Sequence, residues 1–363
     1  MSKDTTLHLA REGLWEYLRR GHSVLKLSPD VLRFLRKDFK GARKFDVSPK
    51  TRLKAWRHGF NSQSWVWLDL ENNNPKEYLN NIHARRVIPY LNGEYSGVFD
   101  DEIAFRYASK EFEDSFPELF GVVDRGTFYP HETKPETIFE VVDQSDVIIK
   151  PICGEQGTGV FKLAKESEGY LINNFRAEQS DIHELLGTLE DHVVTAYVDQ
   201  HEYSDCIFDK VLNTIRIITV IDPKTRSASI VAASHRFGTS KSKPTDNWSA
   251  GGICAPIDIN TGRLGQALCR SESDTLERIN SHPETGAKIS GVEIPAWNDI
   301  YSFVCNIAEH HKRGTYVGWD ISLTDKRPVV IEANSNPGIN IVQIDQGILI
   351  NNAVKRVFEN LGS

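Results

Sequence analysis

The chain has 363 residues, a formal charge of −7 and a pI near 6.0. That length buries a substantial core and divides into two or three lobes, while the acidic balance excludes a dedicated nucleic-acid binder. The five cysteines (153, 206, 254, 269 and 305) are odd in number and lack C-x-x-C or zinc-ligand spacing, so reduced thiols are expected rather than a disulfide framework.

Charge is unevenly spread. The first sixty residues hold 15 Lys and Arg against 6 Asp and Glu, so a basic segment precedes a strongly acidic remainder. Such a segment can meet an anionic substrate, a membrane surface or the acidic body of its own protein. Residues 1–20 alternate charged and apolar with no continuous apolar core, so no signal peptide is expected. No run approaches the ~18 apolar residues of a spanning helix, and a soluble, cytoplasmic protein is the expectation.

In chain order, residues 6–40 read as helical, with Leu14, Leu18, Val31, Leu32, Phe34 and Leu35 recurring at helical spacing. Trp65-Val66-Trp67-Leu68 leads into a packed junction, and residues 75–92 offer another helix through Tyr78, Leu79, Ile82, Val87 and Ile88. From about residue 100 short strands alternate with helices. Val147–Pro151 is a strand with Val160–Leu163 as its hairpin partner, and Ser180-Asp181 caps a helix bearing Ile182, Leu185, Leu186 and Leu189. Strands follow at 192–198, 214–221 and 229–234. An amphipathic helix over 297–313 stops at Gly314, and 348–361 closes the chain as a helix.

Two constellations carry chemistry. In the first, Lys150-Pro151 ends a buried-type strand and precedes Gly154-Glu155-Gln156-Gly157-Thr158-Gly159. Such a backbone approaches a ligand closely and points amides at phosphate oxygens. No Gly-Lys-Ser/Thr follows and a strand, not a helix, comes next, which excludes a Walker A loop and a dinucleotide fingerprint. A flap rooted on a lysine suits a nucleotide triphosphate; taken alone, most such hairpins are tight turns.

In the second, Gly318–Thr324 and Val329–Asn334 are apolar, β-branched runs joined by Asp325-Lys326-Arg327-Pro328, a hairpin composition. A loop centred on Lys326 sets Asp320 opposite Glu332, and Asn334 shares the face of Glu332 by strand alternation. Two carboxylates ~5 Å apart repel by roughly 3 kcal/mol at an effective dielectric near 20, which a cation such as Mg²⁺ relieves. By itself the hairpin reads equally as a solvated edge with scattered acids. No nucleophilic triad is legible: Ser234-His235, His282 and His310-His311 are assigned structure before chemistry.

The pair together resembles the ATP-grasp superfamily. The resemblance implies an α+β fold in which two α+β subdomains grip ATP, here behind a mainly helical N-terminal region: residues 1–100, then 101–195, then 196–363. It implies that Lys110, on the Ser109–Phe112 segment, partners Lys150 on the ATP phosphates. Gly154, Glu155, Gly157 and Gly159 cover them. The 194–198 strand reads adenine through the Tyr197–Val198 backbone, with Asp199 or Glu202 on the ribose. Arg216 faces the transferring phosphoryl group, Asn336 meets the acyl phosphate, and Arg236 with the Asp246–Gly252 loop lines the acceptor side. Mg²⁺ falls to Asp320, Glu332 and Asn334. Thr195 and Ala196 stand where many relatives carry glutamates.

Asp246-Asn247-Trp248-Ser249-Ala250-Gly251-Gly252, His282-Pro283-Glu284-Thr285-Gly286, Ile294-Pro295-Ala296-Trp297 and Asn334-Ser335-Asn336-Pro337-Gly338 resemble the sugar-transfer-associated branch over roughly residues 100–350. The implied activity is an ATP- and Mg²⁺-dependent carboxylate–amine ligase on sugar-linked or surface-polysaccharide-related carboxylate and amine substrates. Its rivals are a kinase built on the same fold and metals, and a nucleotide-binding regulatory or scaffold protein docked through the basic helices. The oligomeric state is not readable.

Overall fold

The computed structural model describes residues 29–41, 47–132, 134–154, 157–271 and 275–359. Two seven-stranded sheets carry it. The first comprises β1 (Leu119–Asp124), β2 (Thr127–Pro130), β3 (Val147–Pro151), β4 (Phe161–Glu166), β5 (Gly169–Ile172), β6 (Phe175–Ala177) and β7 (His192–Ala196), in the order β2-β1-β7-β3-β4-β5-β6. The second comprises β8 (Ile215–Ile221), β9 (Ala228–Phe237), β10 (Ile253–Pro256), β11 (Ala267–Arg270), β12 (Leu276–Ile279), β13 (Tyr316–Leu323) and β14 (Pro328–Asn334), in the order β12-β11-β10-β9-β8-β13-β14. Helices and antiparallel sheets make the fold α+β, as expected.

Alternation explains the first sheet. Val147, Ile149, Leu163, Val123 and Val194 are buried on one face, against Ile138, Val141 and Val142 of one helix and Ile182 and Leu186 of another. The second of these, Gln179–Gly187, starts two residues earlier than a cap at Ser180 would set. A reciprocal capping box between Glu178 and Asp181 closes its N-terminus.

The second sheet has apolar residues on both faces. Ile215, Ile217, Trp319, Ile321 and Val330 pack with Ile300, Val304, Ile307 and Ala308 of the helix Trp297–His310. On the other face Ile218, Val220 and Tyr316 meet Val87, Ile88 and Leu91 of the helix Asn81–Leu91 and Val354, Val357 and Phe358 of the helix Asn352–Glu359. These two helices cover only part of that face. Its remainder, at Arg216, Asp320 and Glu332, lines a cleft of about 2000 Å³ that residues of the first sheet also line.

The N-terminal region is helical where it is described: Pro29–Gly41, Pro49–Arg57, Ser62–Trp67 and Asn81–Leu91, the last three capped by Ser48, Asn61 and Asn80 side chains. The part of the expected 6–40 helix before residue 29 lies outside the described residues. Ala55, Phe60, Trp65, Leu68 and Tyr78 form an apolar cluster with Leu268 and Ile344, so this region is bound to the second sheet. Buried Gln343 completes the attachment. Its amide accepts from the Leu79 N–H and donates to the Leu79 carbonyl, both at 3.0 Å.

Candidate active site

The acidic hairpin forms by a route the loop does not dictate. Leu323 pairs with Pro328 and Ile321 with Val330, so an unbroken ladder would oppose Asp320 to Ile331 and turn Glu332 to the core face. A β-bulge just beyond the Ile321–Val330 pair restores the register, and Asp320 pairs with Glu332. The carbonyl of Ile331, at the bulge, accepts a 2.9 Å hydrogen bond from Lys150 Nζ. The flap-root lysine of the first sheet thus touches the acidic hairpin of the second.

Across the ladder Asp320 is also opposite Arg216 on β8, and Arg216 is opposite Ser234 on β9, so these side chains share a face. Arg236, two residues beyond Ser234, falls on it as well. Arg216 donates to Asp320 from Nε and, at 2.8 Å, from Nη2, and stands 3.7 Å from Glu332. Arg236 Nη2 donates to Asp320 at 2.7 Å. Thr214 Oγ1 accepts from Arg236 and donates to Asp246 at 2.6 Å. The root of the Asp246–Gly252 loop is therefore wired to the arginine pair.

Two carboxylates of one row sit in opposite electrostatic states. Burial works against ionised Asp320, yet Arg216 and Arg236 outweigh it and hold the carboxyl well below its usual range. Burial and the Asp320 charge push Glu332 up to about 8. Glu332 keeps 38% of its side chain open, against 1% for Asp320. Asn334 Nδ2 donates to Glu332 at 3.0 Å.

These residues fit a hard divalent cation. The donor set is all oxygen, and the repulsion that raises Glu332 is what a cation would remove. Glu332 and Asn334 are the accessible donors, with Asp320 behind them under its two arginines.

The Asn334–Gly338 loop is clamped from the N-terminal side. Asp100 accepts from the Ser335 N–H at 3.0 Å and from its hydroxyl at 2.6 Å, and Asn92 donates to the Ser335 carbonyl at 3.0 Å. A Cβ at Gly318 would come 2.6 Å from Pro337 Cβ, so only glycine lets this loop fold over β13. Asn336 lines the cleft beside it.

On the first sheet, Gly154, Gly157, Lys150 and Tyr197–Val198 line the cleft. Gly157 and Gly159 have φ of +70° and +76°, and a Cβ at Gly157 would meet Thr245 at 2.8 Å. The flap therefore closes against the second sheet's loop. Glu155 lies outside the described residues. Lys150 Nζ is also 2.5 Å from Glu102. Burial, with Asp199 and other acids around it, pushes the Tyr197 phenol up to about 12.

Three expected ligands stand elsewhere. Lys110 is exposed and absent from the cleft lining. The preceding Ser109 hydroxyl is held by His311 Nε2 at 2.8 Å, which fixes this turn against the end of the helix Trp297–His310. The second lysine of the first sheet in the cleft is Lys162, 2.9 Å from Asp146 and 3.7 Å from the Tyr197 ring centre. Its signal was readable: it pairs with Ile148 in the expected hairpin, on the face of Lys150. Asp199 and Glu202 are exposed outside the lining; Asp209 and Lys210 line it instead. Gln200 turns the chain between them, bonding the Asn213 N–H at 2.8 Å and the carbonyls of Phe208 and Val211.

His235 and His282 are structural. His235 bonds Tyr203 at 2.7 Å and stacks on Phe237, while His282 bonds the Gly238 carbonyl at 2.8 Å and stacks on Phe208.

No curated protein matches the sequence. Solved structures similar to the chain include an L-amino acid ligase from Bacillus licheniformis (9% identity, TM-score 0.36, 67% of this chain and 42% of that one). Others are the D-alanine–D-alanine ligase of Bacillus anthracis (12%, 0.36, 67% and 59%) and a D-Ala:D-Ser ligase of Enterococcus faecalis (11%, 0.40, 72% and 62%). The matches span only 42–62% of those proteins' own lengths. The model of one family, sugar-transfer associated ATP-grasp, matches residues 83–358. That span takes in both sheets, the glycine flap and the acidic hairpin, and the chain belongs to the sugar-transfer associated ATP-grasp family.

Proposed function

We propose that the protein is an ATP- and Mg²⁺-dependent carboxylate–amine ligase that works through an acyl phosphate, in the cytoplasm, on a sugar-linked or surface-polysaccharide-related substrate. One observation carries the reading: Arg236, Asp320, Arg216, Glu332 and Asn334 share a sheet face whose hairpin bonds the flap-root Lys150 of the opposite sheet.

On this reading the Tyr197–Val198 backbone takes the adenine, and Lys150 and Lys162 neutralise phosphate oxygens under the flap amides of Gly154, Gly157 and Gly159. Glu332, Asn334 and Asp320 would hold Mg²⁺, which when bound supplies charge neutralisation at the phosphate oxygens. A substrate carboxylate oxygen attacks the γ-phosphorus and ADP departs. An amine nitrogen then attacks the acyl carbon, loses a proton, and phosphate leaves. Arg216, Arg236 and Asn336 stabilise charge on the phosphoryl and tetrahedral centres; preorganised cations of this kind need little reorganisation. The protein contributes position and charge rather than a covalent intermediate.

The test is release of ADP and phosphate from Mg²⁺-ATP across mixtures of uronic acids, amino acids and amino sugars. ADP and phosphate appearing together, only with a carboxylate plus an amine, is the expected result. ADP with a phosphorylated acceptor and no free phosphate would make it a kinase. ATP binding without turnover on any mixture would favour the regulatory role.

A further inference from the structure

The cations at the phosphoryl end are committed: Arg216 and Arg236 to Asp320, Lys150 to Glu102 and the Ile331 carbonyl. Another wall of the same cleft differs. It begins at Trp248, the half-buried tip of the Asp246–Gly252 loop, which meets Trp67 edge to face with ring centres 6.0 Å apart. Trp67 lies on the helix Ser62–Trp67, and Ser64 of that helix donates to Asn340 Oδ1 at 3.1 Å. Asn81 Nδ2 reaches the same oxygen at 3.5 Å. One turn further along the helix Asn81–Leu91 is Arg85, exposed in the cleft, with no ion-pair or hydrogen-bond partner among the described residues.

We propose that this wall is the carboxylate-substrate subsite, in place of the acceptor side expected for the Asp246–Gly252 loop, and that it selects an acidic pyranose, a sugar ring bearing a carboxylate; the proposal rests on the ligase reading above. An indole presents a broad apolar face with a polar edge, which suits the C–H face of a pyranose ring. Asn81, whose Oδ1 accepts from the Asn61 N–H at 3.0 Å and whose Nδ2 reaches Asn340, braces this wall. Arg85 supplies the planar fork that pairs with a carboxylate, and its charge is not spent on the protein. The subsite adjoins the reacting end, because Asn340 follows Asn334, Asn336 and Pro337 in one loop. Two of its elements come from the helices before the second sheet. Substrate choice is thus assigned to the N-terminal region, and phosphate chemistry to the sheets.

The experiment measures binding of methyl glucuronide, methyl galacturonide and neutral methyl glucoside to the intact protein by calorimetry, beside Mg²⁺-ATP binding. Wild type, Arg85→Ala and Trp248→Ala are compared. Arg85 is exposed, so its removal does not disturb a core. The expected result is that one or both uronides bind wild type at least 10-fold more tightly than the glucoside. Arg85→Ala should lose that preference, Trp248→Ala should weaken all the sugars it binds, and ATP affinity should stay unchanged in both variants. Equal uronide affinity in Arg85→Ala, or no uronide binding to wild type that binds Mg²⁺-ATP, overturns the subsite and leaves the ligase reading standing. Failure of wild type to bind Mg²⁺-ATP overturns the ligase reading itself.

Discussion

Replacing Glu332 with glutamine should raise the stability of the metal-free protein while abolishing its turnover. Burial and the neighbouring Asp320 charge raise the Glu332 carboxyl from 4.5 to about 8. The folded protein therefore keeps a proton that the unfolded chain releases above 4.5, and stability is lost as pH rises from 4.5 to 8, then levels off. At pH 7 a shift of that size corresponds to roughly 3 kcal/mol at 1.36 kcal/mol per unit. The side chain is 38% open, and solvent screening reduces the figure to about 1–2 kcal/mol. The substituted amide carries no charge, keeps an oxygen for Asn334 and offers its N–H to Asp320. Thermal unfolding in chelator between pH 5 and 9 should show the variant a few degrees more stable than wild type at pH 8 and equal to it at pH 5. Added Mg²⁺ should stabilise wild type and not the variant, and ADP release should disappear. A variant less stable than wild type at pH 8 in chelator would refute the repulsion. Retained ADP release would sink the metal assignment.

Other substitutions probe the surrounding geometry. Gly318→Ala sets a Cβ 2.6 Å from Pro337; overpacking of this kind costs about 1–3 kcal/mol, and turnover should fall with the displaced Asn334 and Asn336, whereas wild-type kinetics would show that the loop position is immaterial. Lys150→Met removes the bond to the Ile331 carbonyl at the bulge, so Mg²⁺-ATP affinity should fall at least 10-fold by calorimetry while far-ultraviolet dichroism stays unchanged; unaltered affinity would count against its phosphate role. His311, buried and bonded to Tyr95 and Ser109, is depressed by burial to about 4. Its unfolded form takes up a proton below about 6.5 that the folded form refuses, so stability falls with pH from there towards 4, by up to about 1.4 kcal/mol per pH unit. His311→Asn should flatten denaturant-measured stability over that window by this amount, and parallel curves for the two proteins would exclude the mechanism.

What the sequence by itself determined are the features set by neighbours along the chain. Two β-branched runs around a polar turn make a hairpin, and alternation puts Glu332 and Asn334 on one face whatever surrounds them. Three glycines after Lys150-Pro151 make a tight turn between two strands, with Gly157 and Gly159 at positive φ. What the tertiary structure decided depends on residues far apart in sequence. The bulge that turns Glu332 towards Asp320 has its carbonyl at Ile331 bonded to Lys150, about 180 positions upstream. The family resemblance implied Lys110 as a phosphate lysine, but the Ser109–His311 bond anchors its turn outside the cleft lining, where Lys162 stands. Asp100 on Ser335 and the two arginines on Asp320 are likewise long-range pairings. Local periodicity specifies which face a side chain takes; only packing of the two sheets and the N-terminal helices specifies what that face meets.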